Sequence, residues 1–310
     1  MPRPTMPPVT PLPPPLQAGD RVRLVAASSA LVDAGRLEAG IACLRDWGLQ
    51  VEPAAPALVG RRWGYLAGRD DARADDFFTA PGERPPALHA CVRGGWGSAR
   101  LLERDRLIQP EGWLLGFSDV TSLLWSRLAQ GLGGGIHGPL ITTLAGEPPW
   151  SRERLRRLLF GEPLPPLTGE VWAGGQAEGP LLVANLTVAT HLLGTAHLPA
   201  LTGAILVLED VGEAPYRIER MLTHWRLSGA LAQLGGLAFG SFLRCEDPDR
   251  ADEPAEHHFS LEQVLRERCL DLGIPVLAGL PVGHAPGNAA LPLGVPARLD
   301  GDRGRLELLA

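Results

Sequence analysis

The sequence predicts an α/β protein in two parts: an N-terminal parallel sheet covered by helices, then a smaller C-terminal α/β domain. Three observations carry this. Short apolar runs alternate with helical patterns from Asp20 onward, glycines stand where those helices must stop, and the periodicity fades over residues 161–179 before resuming in another style. Alternation of strand with helix implies parallel pairing, because a parallel strand needs a crossover and the crossover helix covers a sheet face.

Residues 1–17 hold eight prolines and read as a disordered, polyproline-like arm. Arg21 to Ala27 alternates and then runs apolar, like a strand entering a sheet. A helical pattern follows through Leu37, Ile41 and Leu44 to a stop at Gly48, and Leu49 to Val51 opens the next strand. The unit recurs: Ala87 to Val92 is a strand, Ser98 to Leu107 a helix, Trp113 to Leu115 a strand, and Asp119 to Gln130 a helix ended by Gly131. Residues 18–160 are therefore one domain, the Gly- and Pro-rich stretch 161–179 a linker, and 180–310 the second domain. In that second part Leu181 to Leu193 reads as a helix and Ala204 to Leu208 as a buried strand. Pro215 opens an amphipathic helix at its favoured first position, with Ile218, Met221, Leu222 and Trp225 as the apolar stripe. Leu261 to Leu272 and Pro275 to Ala278 form a last α/β unit.

A chain of 310 residues with 45% apolar and 21% charged residues has the composition of a globular protein with a substantial core. The formal charge of -6 and pI near 5.8 argue against a nucleic-acid partner, which would need a basic face. All 29 basic residues are arginine, and with 38 Gly and 30 Pro this reads as compositional drift rather than as an arginine patch. Cys43, Cys91, Cys245 and Cys269 form no C-x-x-C pair and are expected reduced. The prolines exclude a signal-peptide h-region, and no apolar run is long enough to span a bilayer, so a cytoplasmic protein with no membrane partner is expected.

Four places could carry chemistry. Ser118 lies between the Trp113–Leu115 strand and the next helix, in Gly116-Phe-Ser-Asp-Val120. A serine at such a turn exposes its hydroxyl, and the N–H of Asp119 sits at a helix start where it can bind an oxyanion. The G-x-S-x-G pattern is half met, and serine before a helix also serves as an ordinary cap. Arg93-Gly-Gly-Trp-Gly97 follows a strand; its glycines let backbone approach a ligand, and an oxyanion loop facing Ser118 fits better than a phosphate cradle, whose motifs it lacks. Glu209, Asp210 and Glu213 cluster at the carboxyl end of the Ala204–Leu208 strand, where ligands meet open α/β sheets. They could bind a divalent metal, or serve as helix-start charges, which suits Glu213 in particular. His284, glycine-flanked in a loop after a strand, is a candidate general base, although a loop histidine is also commonly just exposed. His137 is a further loop candidate.

The order and wording of these blocks closely resemble the LD-carboxypeptidases and their microcin-immunity relatives. The matching blocks are Leu66-Ala-Gly-Arg-Asp-Asp-Ala-Arg-Ala-Asp-Asp76, Arg93-Gly-Gly-Trp-Gly97 with Arg100-Leu-Leu102, Gly116-Phe-Ser-Asp-Val-Thr121 and His137-Gly-Pro139. Ala184-Asn-Leu186, Leu208-Glu-Asp-Val-Gly-Glu213 with Arg217-Ile-Glu-Arg-Met-Leu222, and Gly283-His284 with Leu291-Pro-Leu-Gly294 continue the series. The resemblance implies a flavodoxin/Rossmann-like N-terminal domain and a smaller swivelling-type C-terminal α/β domain. It implies a Ser118–His284–Glu209 triad and an oxyanion hole from Gly94 or Gly95 and Asp119, with no cofactor and no metal. It further implies a murein peptide substrate cut between a diamino acid and terminal D-alanine, with Trp96, Asn185 and Arg217 as substrate contacts, and a homodimer. Trp96 stands where the family usually has tyrosine, and an indole lacks the phenol's hydroxyl acceptor. Two other readings are a microcin-immunity-type peptidase acting on a peptidyl or aminoacyl nucleotide amide, and a non-catalytic two-domain ligand-binding protein.

Overall fold

The computed structural model describes residues 12–53, 55–78, 82–104, 111–247, 254 and 257–309. Among them, residues 12–164 with 286–293 make one compact unit, and 165–285 with 294–309 make another.

In the first unit β1 (Arg21–Val25), β2 (Gln50–Glu52), β3 (Leu88–Cys91), β4 (Trp113–Gly116) and β5 (Gly135–His137) form a parallel sheet in the order β5-β4-β3-β1-β2. A late strand, β12 (Leu291–Pro292), adds antiparallel to β5. Both β3 and β4 are buried at every position, as apolar runs in a sheet covered on both faces should be. The helix α1 (Ala34–Asp46) is capped by Asp33, whose carboxylate accepts the Arg36 N–H at 3.0 Å, and it buries the expected Leu37, Ile41 and Leu44. Shorter helices follow: α2 (Asp70–Asp75), α3 (Thr121–Ala129), α4 (Ile141–Leu144) and α5 (Pro149–Leu159). The predicted helix from Ser98 is a 3-10 turn over Ser98–Glu103, and residues 105–107 of that prediction lie outside the described residues.

The proline arm differs from expectation where it is described. Leu16 is buried in the core with Leu155 and Leu159, its N–H donates to the Leu159 carbonyl at 2.8 Å, and the Trp113 indole N–H donates to Pro14 O at 3.0 Å. A proline run has few donors of its own, but its carbonyls still accept and a single leucine is enough to anchor it. Residues 1–11 of the predicted arm lie outside the described residues. Leu16→Ala is expected to cost about 2–4 kcal/mol of stability, read as the shift in urea midpoint at unchanged slope.

A histidine in the same sheet gives the unit an acid limit. His89 in β3 is 1% exposed and stacks on Phe77 with ring centroids 6.1 Å apart. Neither ring nitrogen makes a well-formed hydrogen bond among the described residues. Burial, then the Arg23 and Arg127 charges, push its pKa down to about 4. The unfolded chain protonates this ring at about 6.5, so its contribution is complete above that pH and is lost as pH falls toward 4. The pH 7 to 4.5 decline in unfolding free energy should therefore be smaller in His89→Leu than in wild type, by about 2–3 kcal/mol. Equal declines in the two proteins would refute this.

The second unit is built on an eight-stranded sheet in the order β6-β14-β13-β8-β9-β10-β11-β7. Its parallel centre is β8 (Gln176–Asn185), β9 (Ile205–Val211), β10 (Gly236–Leu243) and β11 (Val276–Ala278). Antiparallel margins come from β6 (Leu167–Thr168), β7 (Glu170–Ala173), β13 (Pro296–Asp300) and β14 (Arg305–Leu308). The helices are α6 (Leu186–Leu192), α7 (Pro215–Leu227), which buries Ile218, Leu222 and Trp225, and α8 (Leu261–Cys269), which opens with a Ser260–Gln263 capping box.

Two expectations are corrected here. Leu181 to Leu193 is not one helix: residues through Asn185 are strand and only Leu186–Leu192 is helix. A continuous apolar run suits a doubly covered strand as well as a buried helix, and periodicity cannot separate them. The 161–179 linker contains β6 and β7, edge strands of two and four residues that are too short to show a period, and the first residues of the ten-residue β8. The four cysteines are free thiols, and among the described residues no helix is long and apolar enough to cross a membrane.

Candidate active site

The nucleophile candidate sits on a sharp elbow. Phe117 is extended, Ser118 has φ 62, and the 3-10 turn Ser118–Val120 then feeds α3. A left-handed non-glycine residue costs about 1–3 kcal/mol and persists only where its surroundings impose it. A Cβ on Gly116 would lie 2.7 Å from Val120 Cγ1, so the chain turns back on itself here and glycine is required two residues before the serine. Val120, where the hydrolase pattern has its second glycine, is fully buried. The Asp119 N–H, at the head of the turn, donates to no acceptor among the described residues.

The glycine loop after β3 lies against this serine. A Cβ placed on Gly94 would stand 3.2 Å from Ser118 Oγ. The N–H groups of Gly94 and Gly95 make no hydrogen bond among the described residues. The loop's far end is fastened to the elbow: the buried Asp119 carboxylate accepts the Ser98 N–H at 2.8 Å, and the Asp119 carbonyl accepts the Ser98 hydroxyl at 2.6 Å. Trp96 is exposed, with its N–H donating to Ser29 Oγ at 3.0 Å. Ser118, Gly94, Gly95 and Asp119 are thus brought together within one unit.

The second unit pairs the candidate base with a carboxylate. Glu209, fully buried near the end of β9, places Oε2 2.6 Å from His284 Nδ1. Gly283 makes room for this contact, because at its φ of +116 a Cβ would come within 2.7 Å of that same oxygen. Burial pushes the Glu209 carboxyl up, while the His284 ring and Asn185 pull it back. Asn185 faces Glu209 in the β8–β9 register and has both ends of its amide committed: Nδ2 donates to Asp210 Oδ1 at 3.0 Å, and Oδ1 accepts the Val188 N–H at 3.1 Å.

The three clustered carboxylates diverge. Asp210, one residue along the strand, points to the opposite face, where it accepts from Thr187 N–H at 2.9 Å, Thr187 Oγ1 at 2.8 Å and Val211 N–H at 2.8 Å. Glu213 lies 3.5 Å from Arg217, which lines a cavity of about 540 Å³ with Arg220, His191 and His224. Among the described residues no three His, Cys, Asp or Glu side chains converge as a metal site. His137 is buried in β5 rather than in a loop. Sequence reasoning missed Ser29 and the anchoring of Asp210 by Asn185 and Thr187, since nothing local marks a side chain that braces a distant loop.

Comparison with known proteins places this two-sheet α/β architecture. Residues 22–138 match the LD-carboxypeptidase N-terminal domain and residues 178–299 its C-terminal domain. A homologue from Synechocystis sp. is 48% identical over 298 residues, covering 95% of this chain and 96% of its own length. The murein tetrapeptide carboxypeptidase of Pseudomonas aeruginosa is 35% identical over 309 residues, covering 92% and 94%. The crystal structure of muramoyltetrapeptide carboxypeptidase from Oxalobacter formigenes superposes with a TM-score of 0.80 at 25% identity, covering 92% of this chain and 97% of the other. MccF in complex with glutamyl sulfamoyl guanosine gives a TM-score of 0.82 at 22% identity, covering 98% and 99%, a likeness of fold. The chain belongs to the LD-carboxypeptidase family of peptidases.

Proposed function

We propose that this peptidase is a serine-type LD-carboxypeptidase that removes terminal D-alanine from murein tetrapeptides. The observation that carries the reading is the buried Glu209 carboxylate 2.6 Å from His284 Nδ1, an imidazole held and charge-compensated as a general base requires. Ser118, on its strained elbow beside Gly94, is the nucleophile. His284 takes the Ser118 proton as Oγ attacks the scissile carbonyl, and the N–H groups of Gly94 or Gly95 and of Asp119 hold the oxyanion. His284 then protonates the leaving D-alanine amine, and water, deprotonated by the same ring, hydrolyses the acyl-enzyme. Exposed Trp96 and Arg217 are the proposed substrate contacts, Arg217 as a partner for a carboxylate. Asn185 contributes by holding Asp210 and flanking Glu209.

The murein reading is supported by 35% identity to the Pseudomonas aeruginosa enzyme, and the microcin-immunity reading by 24% identity to MccF of Escherichia coli together with fold likeness. The deciding experiment offers the purified chain both substrates, a murein tetrapeptide and an aminoacyl sulfamoyl nucleotide, and follows products by mass spectrometry. Release of D-alanine with kcat/KM at least about tenfold above the nucleotide supports the proposal; the reverse preference replaces it with the microcin-immunity type. No turnover of either, together with no fluorophosphonate adduct, would support a binding module. A homodimer belongs to the same proposal, and light scattering giving the mass of one 33.1 kDa chain would remove it.

A further inference from the structure

Arg73 in α2 is a charged side chain with no exposed surface. Its Nη1 donates to the Gly97 carbonyl at 2.8 Å and also to the Ala27 carbonyl, and its Nη2 donates to Asp70 Oδ1 at 2.5 Å. Its Nε finds no partner among the described residues. A buried guanidinium is a poor stabiliser, since desolvation cancels much of its Coulomb attraction and an apolar side chain would fill the same space. What it supplies is a rigid fork that binds several acceptors at once.

The two carbonyls it joins lie just beyond β1 and in the glycine loop after β3, neighbouring parallel strands whose carboxyl ends meet at this point. The counter-charge is equally well placed. Asp70 also accepts from Arg100 at 2.8 and 3.1 Å, and these partners hold its carboxyl down to about 2. The same short helix is tied to the first loop through Asp76, which accepts the Ala26 N–H at 3.0 Å and pairs with Arg61 at 2.8 Å. Ser29 completes the bracing: its N–H donates to Gly94 O at 3.3 Å while its hydroxyl accepts the Trp96 N–H. The loop carrying Gly94 and Gly95 is therefore clamped from outside by Arg73 and Ser29 and from the elbow side by Asp119.

We infer that Arg73, assisted by Ser29, is a positioning residue that fixes the 93–98 loop so that its glycine N–H groups stay set against Ser118. The inference rests on the reading of Ser118 as nucleophile. Arg73 touches neither substrate nor reacting atom, so its removal acts on the transition state through the loop.

The test measures kcat and KM for D-alanine release from murein tetrapeptide in full-length Arg73→Lys and Ser29→Ala, with kcat normalised to serine titrated by a fluorophosphonate. Arg73→Lys keeps the charge but cannot span both carbonyls and Asp70. It should lower kcat by about 10²-fold with KM within about threefold, the size of a lost oxyanion donor. Ser29→Ala removes no buried charge, so it remains folded even if Arg73→Lys is not. It should lower kcat by about tenfold with its melting temperature within about 2 °C of wild type. Wild-type kcat per titrated site in Ser29→Ala, or in a folded Arg73→Lys, would overturn the inference, because a merely structural clamp alters stability and not turnover per folded site. Failure of the underlying reading looks different: the wild-type chain would then give no adduct at Ser118, and the loop would have no oxyanion to serve.

Discussion

Ser118→Ala is expected to lower kcat for peptide cleavage by about 10⁵-fold while the protein remains folded, because the acyl-enzyme route needs that oxygen and residual binding cannot replace it. The geometry makes the expectation specific. The residue occupies a left-handed conformation in a tight turn where Gly116 packs against Val120, and alanine has no greater difficulty there than serine. The melting temperature should therefore change by no more than a few degrees, and the fluorophosphonate adduct should vanish. A variant that turns over within tenfold of wild type would show that the elbow serves only to begin α3.

The second large effect is expected at Glu209. Glu209→Gln should lower kcat by about 10³-fold, since the imidazolium that forms during attack loses its counter-charge and the amide no longer selects one ring tautomer. Stability should be unchanged or slightly higher, because a fully buried carboxylate whose pKa is pushed up by burial is being replaced by a neutral group of the same shape. Asp210→Asn should do the opposite. That carboxylate accepts from Asn185, from Thr187 twice and from Val211, so an amide NH₂ would face a donor, at a cost of about 1–3 kcal/mol. Turnover per folded Asp210→Asn chain should stay within tenfold of wild type. Loss of turnover in Asp210→Asn with near-normal Glu209→Gln would move the acid's role from Glu209 to Asp210.

Much of the fold was legible because its cause is local. Leu37, Ile41 and Leu44 recur at helical spacing and end at Gly48, and α1 buries those three residues. Pro215 begins α7 because a residue without N–H is at no disadvantage at the first helical position. The sharp turn at Ser118 and the Glu209–His284 pair lie in motifs whose glycines answer to steric facts, as Gly116 does toward Val120 and Gly283 toward Glu209. Other features left no local trace. Leu181 to Ala184 carries no period because all four side chains are buried, so both faces of the strand are covered. Residues 286–293 return to the first unit as a two-residue strand beside β5, which no composition shift announces.

By itself the sequence determined which segments are strand or helix wherever one periodic face or one obligatory glycine decides, and which residue types stand at the ends of those strands. The family resemblance named Glu209 among three neighbouring carboxylates, and the tertiary structure shows why it, rather than Asp210, meets the histidine. Glu209 and His284 are 75 positions apart, and Asp210, an equally good acid, is turned away by the alternation of side chains along β9. Only the tertiary structure decided that Leu16 belongs to the core and that Arg73 is a buried brace. Local conformation follows from interactions within a few residues, whereas the partner of a polar side chain is set by which strand lies beside its own.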